Sequence, residues 1–284
     1  MRAPAVAGVR PDRGPGRTSV PLFSLMPADP EPPDRHRRFG GLARLYGVGA
    51  LDLLARTHVC VVGIGGVGSW AAEALVRSGV GRITLIDADH VAESNINRQV
   101  HALESTLGAA KVDVMRARLL DIAPDCRVEA VDDFIDTDNV TMLVPDDALV
   151  VDAIDAVRAK AALVAHARNA GQAIVVCGAV GGRRDPLQLR HTDLAHTTGD
   201  ALLASLRARL RREHGFARNG AFGVPALYSV EAPAGRTPAA APASDGLTGG
   251  APLACAGYGS SVSVTATMGF AAASVVLSKA LQPA

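Results

Sequence analysis

The chain is poor in cysteine, and the four it has (Cys60, Cys126, Cys177 and Cys255) are far apart, with no C-x-x-C pair. That spread excludes a disulfide framework and a structural zinc, and it suits a reducing, cytoplasmic setting. The eight histidines show no metal-ligand spacing. A formal net charge of +1 leaves no global basic field, so any contact with nucleic acid has to use a local patch. The apolar patch Val20-Pro-Leu-Phe-Ser-Leu-Met26 is too short and too interrupted for a signal-peptide core. No internal repeat is visible.

What remains is enough for one folded body. With 48% hydrophobic residues over 284 positions, the chain can bury a full core as a single α/β domain. Residues 1–36 are rich in Pro, Gly and Arg without apolar periodicity. They read as a disordered tail, or as upstream sequence with Met26 the true start. Residues 37–284 read as the domain, interrupted at 231–252 by a flexible Ala-, Pro-, Gly- and Ser-rich insertion. Between these, short apolar runs at 59–62, 83–86, 126–131, 148–152 and 173–177 alternate with helical stretches at 69–78, 109–122 and 158–170. Such alternation predicts a Rossmann-like, doubly wound and mainly parallel sheet. An added C-terminal α/β portion follows, with a strand near 187–190 and a basic helix at 200–213.

The first strand leads into Val62-Gly63-Ile-Gly65-Gly66-Val-Gly68-Ser69. Glycines at that turn permit a tight bend and close approach of backbone to a phosphate, and the helix opened by Ser69 offers its positive end. The second strand ends in Asp87, near the spacing at which an acid grips a ribose hydroxyl. Gly63-x-Gly65-x-x-Gly68 alone fits NAD as readily as ATP. Ser69 stands where a triphosphatase phosphate loop needs its lysine, so a cation for the outer phosphates must come from elsewhere. Candidates follow downstream: Asp89, Asn95-Ile-Asn97-Arg98-Gln99 and Lys111, with Val150-Val-Asp152-Ala-Ile-Asp155 ending another apolar run in a carboxylate.

This cassette resembles the ubiquitin-activating-type adenylating enzymes, a family that includes the activators of sulfur-carrier proteins. Three further stretches are similar to the branch that dehydrates threonylcarbamoyladenosine in tRNA. They are Arg38-Phe-Gly-Gly-Leu-Ala-Arg44-Leu-Tyr46-Gly47, Val61 to Ala74, and Asp132-Asp-Phe134 with Val151-Asp-Ala-Ile-Asp155. The resemblance implies ATP-dependent activation of the carboxylate of N6-threonylcarbamoyladenosine, followed by closure of a hydantoin ring. It implies that Gly63, Gly65, Gly66 and Gly68 cradle the phosphates and that Asp87, with Asp89, binds the ribose side. Asn95, Arg98 and Lys111 hold the phosphate chain, and Asp155 binds Mg²⁺. Arg98, Lys111 and Asp155 are the expected catalytic set. A homodimer is also implied, with Arg38 or Arg44 reaching the partner's ATP, as is a link of Cys255 to a cysteine desulfurase or other sulfur acceptor.

Blander readings stand beside these. Asp87 can be a strand-end cap, Arg98 and Lys111 solvated charges, and Cys255 a structural thiol. Adenylation of a ubiquitin-like sulfur carrier is the nearest alternative, although such enzymes usually carry two C-x-x-C zinc pairs that are absent here. An NAD-dependent dehydrogenase leaves Asn95, Arg98 and Lys111 unexplained. A non-catalytic nucleotide sensor would bind ATP without turnover. Arg183, Arg184, Arg211 and Arg212, with Arg207, Arg209 and Arg218, form the best footprint for a tRNA backbone or else a solvated face. The apolar stretch 261–278 reads as a buried or dimer-contacting helix rather than a membrane span.

Overall fold

The computed structural model describes residues 33–235 and 258–282. Residues 1–32 of the expected N-terminal tail, most of the expected insertion, and Cys255 lie outside the described residues, while Arg35 and His36, expected in the tail, already belong to a helix. Two helices that sequence periodicity did not reveal come first, α1 (Arg35–Tyr46) and α2 (Ala50–Arg56). Asp34 caps α1 by accepting hydrogen bonds from the N–H groups of His36 and Arg37. This serves donors that the first turn cannot satisfy itself.

The sheet is built from β1 (His58–Val62), β2 (Arg82–Ile86), β3 (Arg127–Val131), β4 (Leu149–Asp152), β5 (Ile174–Cys177), β6 (Leu189–Asp193) and β7 (Pro225–Ser229). Strand order is β3-β2-β1-β4-β5-β7-β6. All neighbours run parallel except β6 against β7, which are antiparallel. All five residues of β1 are buried, as expected for a central parallel strand covered on both faces. The connecting helices are α3 (Gly68–Arg77), α4 (Lys111–Ile122), α5 (Val140–Leu143), α6 (Val157–Asn169), α7 (Ala201–Glu213) and α8 (Val262–Ala280). Helix α4 stops just before Pro124, whose ring disfavours helical backbone in the residue ahead of it.

Two cores flank the sheet. One packs α1, α2, α3, α4 and α8 on one face, through residues such as Phe39, Leu54, Leu75, Met115 and Met268. The other packs α5, α6 and α7 on the opposite face, through Val140, Leu163, Leu203, Leu206 and Leu210. Strand β7, missed in the sequence, wedges between β5 and the edge strand β6 and belongs to the added C-terminal portion. Helix α8 is long and apolar enough to cross a membrane by composition, yet half of that stretch is buried in this fold. A Cβ on its Gly269 would lie 2.5 Å from the Val67 carbonyl oxygen. Glycine there lets α8 press against the start of α3, and the helix is a core element.

The chain winds from β1 outward to β3, then returns to β4 on the other side of β1. In an open α/β sheet this reversal opens a crevice beyond the C-terminal strand ends, where ligands bind.

Candidate nucleotide site

At the switch between β1 and β4 the glycine turn takes its shape from close contacts. Gly63 has φ +88°, a left-handed value that favours glycine. A Cβ on it would meet the Ala153 backbone at 3.0 Å, and a Cβ on Gly68 would lie 1.8 Å from the Gly63 carbonyl oxygen. Gly63 and Gly68 therefore shape the turn from within. A Cβ on Gly65 would meet nothing within 4 Å, while one on Gly66 would press against Arg98 Cγ and Thr265 Cγ2 at 3.2 Å. Helix α3 starts with no side-chain cap hydrogen bond, so no capping side chain competes for the positive end of the helix.

The β2 exit supplies the acids. Asp87 is 9% exposed. Its Oδ2 accepts a hydrogen bond from Ile64 N at 2.6 Å and its Oδ1 one from Asp89 N at 2.8 Å. The residue expected on the ribose thus also ties the glycine turn to the second strand end. Burial raises its pKa above the usual carboxylate range, against the pull of Lys111. Lys111 opens α4 and is only 5% exposed, with Nζ donating to Asp89 Oδ2 at 2.6 Å. A solvated surface lysine would not be buried in this way.

Arg98 lays its Cγ and Cδ over Gly66. Its Nη1 donates to Ser94 O at 2.7 Å and to Asn97 Oδ1 at 3.0 Å. Trp70 Nε1 donates to the Arg98 carbonyl at 2.9 Å, pinning this segment to α3. Asn95 is buried, and its Oδ1 accepts from Ala92 N at 3.1 Å. From the β4 side comes Asp155, half-buried, its pKa raised chiefly by burial and modulated by Lys160, Asp89 and Lys111. The turn, the β2 acids, Arg98, Lys111 and Asp155 thus border one crevice. No cluster of three or more His, Cys, Asp or Glu able to hold a metal occurs among the described residues. A metal at Asp155 would take its remaining ligands from phosphate and water, the habit of Mg²⁺.

Behind Asp155 lies a pair that the sequence did not reveal. Lys160 and Asp152 are both fully buried, with Nζ 2.7 Å from Oδ1. Lys160 Nζ also donates to the Ile154 carbonyl at 2.9 Å, fixing the loop that carries Asp155. The available signal was a lysine inside the apolar run Ala159-Lys160-Ala-Ala-Leu-Val. Gln99 and His101, beside the Arg98 segment, are buried with side-chain atoms that find no partner.

The basic cluster splits in two. Arg183 is 4% exposed, so it does not belong to a surface patch as expected. Its backbone turns at the C-terminal edge of β5, and its Nη2 donates to Gly199 O at 3.0 Å. Arg184 is exposed beside it. Arg211 stacks on Phe222 at 5.2 Å, and Arg212 pairs with Glu213 at 2.6 Å. With Arg218 and Ala208 these two arginines line an open concavity of about 620 Å³. That concavity sits at the far end of α7, whose 13 residues span roughly 20 Å.

A larger concavity of about 680 Å³ opens at the N-terminal strand ends, beside Leu149, Ile174, His191, Pro225 and Lys279. It lies on the edge opposite the crevice. The Arg38 guanidinium donates to the Ile122 carbonyl at 2.8 Å, which binds it to its own chain. Arg44 is exposed with no hydrogen-bond or ion-pair partner among the described residues. Cys60, Cys126 and Cys177 are buried free thiols. Burial pushes them up to about 12, 11 and 12 respectively, so none has thiolate character.

Comparisons with known proteins agree on one group. The ThiF family model matches residues 39–204. The tRNA threonylcarbamoyladenosine dehydratase of Escherichia coli (strain K12) is 48% identical over 260 residues, covering 87% of this chain and 95% of that protein. Its counterpart in Haemophilus influenzae is 41% identical over 251 residues, covering 87% and 94%. The crystal structure of the Escherichia coli dehydratase in complex with ATP superposes with a TM-score of 0.76 at 47% identity, covering 86% of this chain and 94% of that one. The same enzyme has also been crystallised with AMP.

Proposed function

Because the chain belongs to the ThiF family, we propose that it is an ATP-dependent dehydratase acting on N6-threonylcarbamoyladenosine in tRNA. The observation that carries this reading is the crevice at the β1/β4 switch. A glycine turn, a buried lysine, an arginine and three carboxylates border it, and sequence identity to the relatives extends over nearly their whole length.

The chain's residues have these parts. Backbone at Gly65 and Gly66 and the open end of α3 receive the phosphates. Asp87 keeps a second lone pair on each oxygen for a ribose hydroxyl. Asn95, Arg98 and Lys111 orient the phosphate chain and neutralise the charge that develops on departing pyrophosphate. Asp155 would hold Mg²⁺, which supplies further charge neutralisation when bound. The substrate carboxylate attacks the α-phosphorus and pyrophosphate leaves. The neighbouring carbamoyl nitrogen then attacks the activated carbonyl, AMP departs, and that nitrogen loses its proton, so the net change to the nucleoside is loss of water. The nucleophile is already tethered in the substrate, so no protein nucleophile is required.

The tRNA backbone is received in part by the Arg211, Arg212 and Arg218 concavity, about a helix length from the chemistry. The enzyme works as a cytoplasmic homodimer, with Arg44 the arginine free to reach the partner's nucleotide. Any sulfur exchange rests on Cys255.

The test is direct. The purified chain, given ATP, Mg²⁺ and tRNA carrying the open form, should convert that nucleoside to its dehydrated form by nucleoside mass spectrometry, and Lys111→Ala should not. Absence of conversion, together with pyrophosphate exchange driven by a sulfur carrier's Gly-Gly tail, would replace this reading with sulfur-carrier adenylation.

A further inference from the structure

Arg183 presents a buried charge with no ion pair among the described residues. It is 4% exposed, and its Nε and Nη1 are buried without a hydrogen-bond partner. Arginine is almost never buried so deeply unless paired, because an uncompensated charge in the interior is costly. The nearby acids are occupied elsewhere. Glu231 acts on Arg183 only at longer range, and it accepts the N–H groups of Arg184 and Asp185 at 2.8 and 3.0 Å. Asp200 accepts those of Ala179 and Leu203, both at 2.9 Å.

The side chain is held rigidly at a meaningful place. Val176 of β5 lies opposite Asp152 of β4, so the loop beginning at Gly178 leaves the sheet at the same edge as the loop that carries Asp155. Arg183 N donates to Val180 O at 3.3 Å, closing a turn with Gly182 at φ +75°. Gly182 is clamped in turn, donating to Gly259 O and accepting from Ala234 N, each at 2.8 Å. Strand β5 is two strand spacings from β1, about 10 Å. Arg183 therefore stands at the sheet edge that carries the Asp155 loop, on the bank beyond β4.

We propose that Arg183 binds an oxyanion of the incoming tRNA, anchoring the substrate on the β5 side of the crevice. This rests on the proposed function for its substrate. The chemistry suits either the carboxylate of the threonylcarbamoyl group or a phosphodiester flanking the modified base. Either would supply the missing counter-charge through charge-assisted hydrogen bonds.

The experiment compares the wild-type chain with Arg183→Met and Arg183→Lys, in binding to modified and unmodified tRNA and in ATP-dependent turnover. Arg183→Met should keep the KM for ATP and raise the melting temperature, since an unpaired buried charge is removed, while losing about ten- to a hundredfold in affinity for modified tRNA. Arg183→Lys should recover part of the loss. A defect confined to modified tRNA assigns the carboxylate, and an equal defect on unmodified tRNA assigns a phosphodiester. Unchanged tRNA affinity in a folded variant overturns the proposal. If Arg183→Met does not fold, Arg183→Gln, which keeps a hydrogen-bond donor but no charge, decides in its place, since wild-type tRNA affinity in that variant overturns the proposal as well. Wild-type protein that binds tRNA without dehydrating it would refute the proposed reaction and leave this binding test readable.

Discussion

Replacing Lys160 with methionine isolates the energetics behind the Asp155 loop. Lys160 Nζ is fully buried and contacts Asp152 Oδ1 at 2.7 Å, the Ile154 carbonyl at 2.9 Å and the Asp152 carbonyl at 3.4 Å. Burial pushes the Asp152 carboxyl up to about 6, with Lys160 pulling it down. In the unfolded chain it titrates near 3.8, so folding favours its protonated form. The corresponding stability is full below the unfolded value and lost as pH rises through the folded one. Removing Lys160 moves the folded value higher, so the variant goes on losing stability where the wild type has stopped. From about pH 6 to pH 8, at about 1.4 kcal/mol per unit, the gap widens by up to ~3 kcal/mol. The full penalty at pH 8 should reach about 3–5 kcal/mol, as when a buried pair is deprived of one member. Urea melts followed by Trp70 fluorescence at pH 5.5 and 8 measure both values. A penalty that stays the same across this range would refute the reasoning, because it would mean that Asp152 is not the group left unpaired. Asp152→Asn combined with Lys160→Met should restore part of the stability and remove the pH dependence.

Other expectations concern separate links. Gly68→Ala places a methyl 1.8 Å from a backbone oxygen that cannot move aside, so it should cost roughly 3 kcal/mol or more and yield little native protein. Gly65→Ala, facing open space, should leave thermal stability intact and weaken ATP binding in calorimetry. His101 is pushed down to about 4, first by burial and then by Lys111 and Arg118. Its stabilising share is full above the ordinary 6.5 and fades as pH falls toward 4, so His101→Leu should flatten acid unfolding by about 3 kcal/mol in that window. Reversing charge at Arg211 and Arg212 should weaken tRNA binding and reduce the log-salt slope by about 1 for each phosphate no longer neutralised. A salt-independent affinity would remove the concavity from the tRNA path.

The parts of the fold with strong local pattern were legible. Fully buried parallel strands such as Val59-Cys-Val-Val and Ile83-Thr-Leu-Ile announce themselves as apolar runs, and glycine spacing marks the turn between β1 and α3. Helices α1 and α2 escaped because half their residues are exposed and Phe39, Leu51 and Leu54 find their places in a core assembled from distant parts of the chain. Strand β7 escaped because Pro225 heads it and Gly223 precedes it, a composition that reads as loop until β6 pairs with it. Within the site, charged residues at motif spacing could be named from sequence. Which of them are buried could not, since burial depends on strands that meet only in space. Arg183 reads as one of several arginines along the chain, and only the turn at Gly182 and the carbonyl of Gly199 take it away from the others. Lys160 is hidden the same way: its partner eight residues earlier belongs to another element.

The charge balance of the crevice gives the arrangement its logic. Asp87, Asp89 and Asp155 lie around Lys111, with Arg98 beside Gly66, so these groups carry more negative than positive charge. Burial raises the pKa of both Asp87 and Asp155. Lys111 is held by Asp89 at 2.6 Å, poised but compensated. In the proposed reaction a triphosphate would have to draw Lys111 from Asp89 with the negative Asp155 nearby. Asp155 would hold the divalent cation of the proposed reaction, which would supply counter-charge for the phosphates. In the proposed reaction the same carboxylate that repels phosphate alone would favour the metal-bound nucleotide, and Lys160, donating to the Ile154 carbonyl, holds the loop that carries it.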